Sequence, residues 1–175
     1  YLAINFFGYQ NERFTIWYDK ICEGTNIEPE FLADECYQLF QSKVAISSGG
    51  LFGLGPGTSR ARWGSLPNAW SDFIASIAAE EYGFIGLLLL IFGLVSLIIS
   101  FFGLSLTSGD NFIRLYFAGM GSWVLIQTIF NLGGIVGLLP ITGIVLPFIA
   151  YGGSAMVAIF IGLTMAYAKD KIEDL

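Results

Sequence analysis

No charged side chain stands between Glu81 and Asp110, and none between Arg114 and Lys169. This limits the fold more than any other feature, because a water-soluble helix of such length needs charged positions on its solvated face. The first run has its core at residues 83–106. It is apolar on every side and long enough to cross a bilayer with some tilt. The second run, 115–168, is far too long for one crossing at ~1.5 Å per residue. Gly133-Gly134, Gly137, Pro140, Gly143, Pro147 and Gly152-Gly153 interrupt it. The pattern predicts two helices, 115–135 and 149–168, joined by a short uncharged hairpin at 136–148. The composition agrees: 55% of residues are apolar and 13% charged, against about 25% charged in soluble domains. The mean hydropathy of +0.69 excludes a coiled coil or a disordered tail. The expected fold class is an all-α integral membrane protein, a polytopic helical bundle with a long extracytoplasmic loop.

Counting crossings gives a topology. Residues 9–81 lie on one side, 82–106 cross, and 107–114 turn on the other side. Residues 115–135 return, so the hairpin joins the long loop on the first side. Residues 149–168 cross again and leave 169–175 on the second side. Arg114, Lys169 and Lys171 lie on short second-side segments, and the hairpin has no Lys or Arg. The positive-inside rule therefore makes the second side cytoplasmic; the long loop, with its five basic residues, is largely exempt from it. The loop and the Pro/Gly hairpin thus share the outer face, and a site there can draw on both. Residues 1–8 are apolar, too short to span, and lack the basic stretch of a signal peptide. They are expected to be the end of a cut membrane helix, which makes the 175 residues a C-terminal fragment of a larger protein. The formal charge of −6 argues against nucleic acid as a partner. Histidine is absent, which excludes a Ser-His-Asp or Cys-His pair and any His-ligated metal within the chain.

Most of the polar chemistry lies in residues 9–81. Residues 11–35 are acidic, as a solvated surface would be. From Pro29, suited to a first helical position, Phe31, Leu32, Cys36, Leu39, Phe40 and Val44 fall near one stripe. They predict an amphipathic helix near 30–47, ended by Gly49-Gly50. Cys22 and Cys36 could pair on an oxidising face or stay free, and two ligands do not make a metal site. The glycine-rich run Gly49–Gly57 has neither the strand nor the Lys-Ser/Thr of a phosphate loop, and reads as a tight turn near the membrane. Beside it, Arg60 and Arg62 could bind a pyrophosphate by fork-like hydrogen bonds, or lipid head groups. Ser71 or Asn68 can cap a helix running through Ile74 to Glu80-Glu81, both of which can mark the membrane edge. Asp72 would then sit in a first helical turn, where it complements the helix dipole. Its apolar flanks Trp70 and Phe73 also allow partial desolvation, a condition that favours a general base.

Three segments carry a resemblance. The run from Ser48 to Ile74, containing Pro56-Gly-Thr-Ser-Arg-Ala-Arg-Trp63 and Leu66-Pro-Asn-Ala-Trp-Ser-Asp-Phe-Ile74, resembles the outer loop of the FtsW/RodA/SpoVE family. Glu80-Glu-Tyr-Gly-Phe-Ile-Gly86 resembles the start of that family's following membrane helix. Gly137-Leu-Leu-Pro-Ile-Thr-Gly-Ile-Val-Leu-Pro-Phe-Ile-Ala-Tyr-Gly-Gly-Ser154 resembles its second outer motif. All three come in the family's order, and the first looks more like the division branch than the elongation branch. The resemblance implies the C-terminal part of a ten-helix membrane glycosyltransferase. Such an enzyme polymerises lipid II at the outer face of the bacterial cytoplasmic membrane, among membrane lipids. It works with a class B penicillin-binding protein and other divisome proteins. By position, Asp72 matches the family's proposed catalytic acid. Arg60, Arg62, Ser71 and Trp70 would contact substrate. Pro140, Thr142, Pro147, Tyr151, Gly152, Gly153 and Ser154 would form a cavity wall or partner contact. No residue set for a metal is assigned, and a divalent cation is a candidate cofactor only. A lipid II transporter and a non-catalytic scaffold that activates the penicillin-binding protein are the competing readings. Trp70 stands where many relatives have His, Ala75 where an aromatic is frequent, Ala150 where Ser is common and Val145 where Pro is common. Because residues on the family's other helices lie outside this chain, the fragment alone is expected to be inactive.

Overall fold

The computed structural model describes residues 35–64 and 66–173, with side chains placed for residues 36–64 and 66–164. Among the described residues there are four α-helices: α1 Glu35–Gly49, α2 Ile74–Thr107, α3 Asn111–Val136 and α4 Gly153–Glu173. A single 3-10 turn occupies Ala61–Trp63, and no strand occurs among the described residues. The segment 1–8, most of the acidic stretch, Pro29 and Cys22 lie outside the described residues.

α1 packs against α2 and α3. Its buried residues are Cys36, Ser42, Ala45 and Gly49, whereas Phe40 and Val44 of the predicted stripe are exposed. The reason is close packing: small side chains bring α1 against α2 and α3, leaving no room for a large stripe. Ser42 Oγ donates to the Ile135 carbonyl at 2.8 Å and lies 2.8 Å from Ser76 Oγ, tying the three helices together. Cys36 is buried and disulfide-bonded.

α2 is broken at Gly83, where φ is +70° and ψ −169°. A break releases amides and carbonyls that must find other partners in or near a bilayer. The glycine-rich loop supplies them. Phe84 N donates to Gly50 O (2.9 Å) and Ile85 N to Leu51 O (3.2 Å), while Leu54 N and Gly55 N donate to the carbonyls of Glu80 (2.9 Å) and Glu81 (3.0 Å). A side chain at Gly83 would put its Cβ 2.3 Å from Gly53 N, so both the angle and the approach require glycine here. Residues 84–107 remain for the crossing and rise about 36 Å, more than the roughly 30 Å of bilayer hydrocarbon.

α2 and α3 both have the length and composition to cross a membrane. Only 17% of the most apolar stretch of α2 and 39% of that of α3 is buried, whereas the core helix of a soluble protein would be mostly buried. Leu88, Leu89, Phe92, Val95 and Ile99 all face outward. Such an apolar face belongs against lipid or neighbouring membrane helices, and the chain is an integral membrane protein. Asp110 caps α3 by accepting a hydrogen bond from Phe112 N at 3.0 Å, which leaves a turn of only 108–110 between α2 and α3. α4 leans on α3, with Tyr116 Oη donating to Gly162 O at 2.7 Å. Its helix starts at Gly153, later than the predicted 149, because Phe148 has φ +65° and Tyr151 N is bonded elsewhere. Around Phe73, Ile77, Ile135 and Leu146 an apolar cluster gathers α1, the loop, α3 and the hairpin at one end. A second cluster, around Ile98, Phe101 and Val124, fills the space between the membrane helices.

Candidate functional site

The site is built on a short turn ahead of α2. Leu66, Ala69 and Phe73 are buried in the loop-end cluster and fix the turn from below. Asn68, at φ +52°, accepts hydrogen bonds at its carbonyl from Ser71 N (3.2 Å), Asp72 N (3.1 Å) and Ser71 Oγ (3.2 Å). This overturns the predicted cap. The N-cap is Phe73, which makes no side-chain cap bond, and neither Ser71 nor Asn68 caps the helix. Asp72 therefore precedes the helix instead of lying in its first turn. Burial of the Phe73 ring decides the register, because a large apolar group in the core outweighs one capping bond.

The Asp72 side chain is half-buried, and among the described residues no hydrogen bond or ion pair reaches its carboxylate. It faces the hairpin. A Cβ at Gly143 would lie 3.6 Å from Asp72 Oδ2, and Gly143 itself sits at φ +70°. Asp72, Phe130, Asn131, Ile141, Thr142 and Gly143 line a notch of about 10 Å³. That is room for about one water and not for a sugar, so a larger reactant would have to approach over the open side.

One main-chain bond and one side-chain bridge join loop and hairpin. Tyr151 N donates to Trp70 O at 3.0 Å. Asn131, on α3 and buried, donates from Nδ2 to Asp72 O and to Ile144 O, both at 2.8 Å. The loop and the hairpin, distant in sequence, thus meet at Asp72.

The arginine turn is organised by two glutamates that the sequence suggests are membrane-edge markers. Both are internal: Glu80 is 2% and Glu81 6% exposed. Glu80 Oε2 accepts from Ser59 Oγ (2.5 Å) and Ala61 N (3.2 Å), and Oε1 from Arg60 N (3.1 Å) and Ser48 Oγ (3.4 Å). The turn wraps the carboxylate because its amides point inward. The Arg62 guanidinium lies 4.4 Å from the Trp70 ring centre and 5.3 Å from that of Trp63, with Nη1 3.6 Å from Glu81 Oε1. Arg62 is thus held against Trp70, two residues from Asp72, while Arg60 points outward.

The residues of the second motif divide. Thr142 lines the Asp72 notch, and Pro140 and Pro147 are buried in the hairpin. Tyr151 is bonded to Trp70 through its amide, with the side chain 83% exposed. Gly152 packs beside Val145, and Gly153 and Ser154 are exposed at the start of α4. Sequence reasoning missed Asn131 and the bonding role of Glu80. The available signal for Asn131 was an amide inside an uncharged membrane run, a position where polar groups are costly.

Comparison with known proteins adds an independent line. The FtsW/RodA/SpoVE family model, described as "Cell cycle protein", matches residues 2–172. The Bacillus subtilis protein named "Probable peptidoglycan glycosyltransferase FtsW" is 48% identical over 120 residues, which is 69% of this chain and 30% of that protein. The protein of the same name from Enterococcus hirae is 40% identical over 140 residues, 79% of this chain and 35% of its own length. "Stage V sporulation protein E" of Bacillus subtilis is 42% identical over 122 residues, 69% of this chain and 33% of its own. This chain therefore spans about a third of the length of the curated relatives it matches. A solved chain from work described as "Structural coordination of polymerization and crosslinking by a peptidoglycan synthase complex" superposes with a TM-score of 0.63 at 27% identity, covering 90% of this chain and 40% of that one.

Proposed function

We propose a reading that proceeds from one fact: this chain belongs to the FtsW/RodA/SpoVE family. It forms the part of a peptidoglycan glycosyltransferase that carries the catalytic carboxylate, joining lipid II units into glycan strands for the division septum. Asp72 accepts the proton of the acceptor sugar's 4-hydroxyl. The freed oxygen attacks the anomeric carbon of the donor from the face opposite the leaving group. A carbon–oxygen bond forms there, the bond to the pyrophosphate oxygen breaks, and undecaprenyl pyrophosphate departs with inversion. The departing group gains negative charge, which fixed cations stabilise. Arg62, stacked against Trp70, and the outward Arg60 are the candidates. Ser71 and Trp70 border the acceptor, and the hairpin residues from Pro140 to Ser154 wall the cavity or meet the partner.

The observation that carries this reading is the half-buried Asp72 carboxylate at the seam of loop and hairpin, with no hydrogen-bond or ion-pair partner among the described residues. Its position ahead of α2 favours an enzyme over a transporter, whose coupling acid belongs near mid-membrane. In this reading the site faces the outside of the bacterial cytoplasmic membrane and the chain ends in the cytoplasm. A class B penicillin-binding protein is its partner, in line with the synthase complex named for the structural relative. The test uses the complete protein with that partner and lipid II. Asp72→Asn is expected to abolish polymer formation while the complex still assembles. Polymer at the normal rate would show the assignment to be wrong, and lipid II translocation without any polymer from the unmodified protein would favour the transporter.

A further inference from the structure

Asp72 is held by its main chain on both sides. Its amide donates to Asn68 O at 3.1 Å, and its carbonyl accepts from Asn131 Nδ2 at 2.8 Å. Ser76 N, which a regular α-helix would bond to that carbonyl, bonds to Phe73 O instead, as does Ile77 N. The same Nδ2 reaches Ile144 O at 2.8 Å, in the hairpin and next to Gly143, the residue facing the Asp72 carboxylate. Both partners are carbonyls, so the amide can have only one orientation: the reverse would set oxygen against oxygen. In that orientation Asn131 Oδ1 is buried and has no hydrogen-bond partner among the described residues. An isosteric leucine would avoid that cost but would take the shared donor from the carbonyls of Asp72 and Ile144, so what the amide contributes is the link between them.

We infer that Asn131 is the positioning residue of this site: one amide group locks the Asp72 turn to the hairpin and so aims the carboxylate. With both flanking peptides fixed, only the two side-chain torsions of Asp72 remain free. Removing Asn131 frees one of those peptides and uncouples Ile144 at the same moment. Asn131 acts through the backbone and touches no reactant. The inference rests on the catalytic reading of Asp72.

The test uses the complete protein with its transpeptidase partner in membranes or detergent, fed lipid II, with rates normalised to folded complex. Asn131→Ala and Asn131→Asp are expected to lower kcat by about 10–100-fold, the scale of a small misplacement of a reacting group. KM for lipid II should stay within about threefold, since no substrate contact is lost. The pH profile adds a readout that a packing role would not move. As pH falls, the introduced carboxyl of Asn131→Asp regains a donor on protonation, so its rate relative to the unmodified protein should climb. The corresponding ratio for Asn131→Ala should stay flat. If Asn131→Asp runs at the normal rate at neutral pH, the inference fails. It also fails if either variant raises KM with kcat unchanged, or if activity falls only in proportion to the folded complex recovered. Asp72→Asn is run alongside. If it polymerises normally, both the parent reading and this one are overturned; if it is dead while Asn131→Asp is normal, only the positioning role is lost.

Discussion

Glu80 offers a quantitative test of how the arginine turn is held. Its carboxylate is 2% exposed and receives two hydrogen bonds on each oxygen. Two of the donors are the main-chain amides of Arg60 and Ala61. A hydrogen bond to a charged acceptor contributes about 1.5–3 kcal/mol, but donors released from the turn can hydrate. Removing both amide bonds should therefore cost the closed turn about 3 kcal/mol, the low end of the sum. Glu80→Gln separates bonding from packing. It keeps the shape but has one oxygen, so it can serve only one of the two donor pairs, and its NH2 confronts the other. Glu80→Ala, which removes both acceptors, should therefore open the turn by the full amount, and Glu80→Gln by the share of one donor pair, roughly a tenfold acceleration of amide exchange. Hydrogen–deuterium exchange over residues 57–64 reads this directly: at 1.4 kcal/mol per tenfold, about 3 kcal/mol is roughly a 100-fold acceleration at Arg60 and Ala61. Exchange in Glu80→Gln within about threefold of the unmodified protein would show that the carboxylate is not the group holding the turn.

Three further outcomes are expected. Gly83→Ala combines a left-handed φ, about 1–2 kcal/mol, with overlap onto the backbone at Gly53 and Leu51, and should cost at least about 3 kcal/mol, read as a lowered thermal unfolding midpoint in detergent; an unchanged midpoint would mean the loop is not seated in the helix break. Phe73→Ala removes a 1% exposed ring from the centre of the loop-end cluster and should destabilise by about 3–5 kcal/mol, again read by thermal unfolding; a loss under about 1 kcal/mol would deny Phe73 its anchoring role. Cys36 should resist maleimide in the unfolded protein until a reductant is added, and labelling before reduction would exclude the disulfide.

The legible and illegible parts of this fold differ in physical kind. Charge-free length is a property of the chain itself, so α2 and α3 could be read from where Glu81, Asp110 and Arg114 fall. The sharing of one end by loop and hairpin followed from counting crossings, and the Tyr151–Trp70 and Asn131–Asp72 bonds are its concrete form. What could not be read depends on partners. A glutamate at the start of an apolar run looks like a border marker until Ser59, Arg60 and Ala61 are seen to close over it. Phe40 and Val44 satisfy helical spacing as well as Cys36 does, but spacing cannot tell which face a neighbour of small side chains will take. Asp72 was legible as an acid between aromatics, but its place ahead of the helix was set by the burial of Phe73, a tertiary fact.

The break at Gly83 explains why the polar machinery can sit so close to the membrane span. A continuous helix from Ile74 would satisfy its own backbone and leave the glycine-rich loop to find partners alone. With the break, Glu80 and Glu81 offer their carbonyls, and Phe84 and Ile85 their amides, to residues 50–55, so loop and helix complete each other's hydrogen bonding. The same interruption presents the Glu80 and Glu81 side chains to the arginine turn. Arg62 is thereby pressed on Trp70, whose carbonyl holds the hairpin through Tyr151 N. A chain of fixed contacts thus runs from the helix break to the residue two places before Asp72, while Asn131 fixes Asp72 from the opposite side, out of the membrane bundle. A carboxylate so placed keeps no partner of its own among the described residues because the restraints act on the peptide groups around it. That arrangement leaves the charged oxygens available while removing the backbone freedom that would misdirect them.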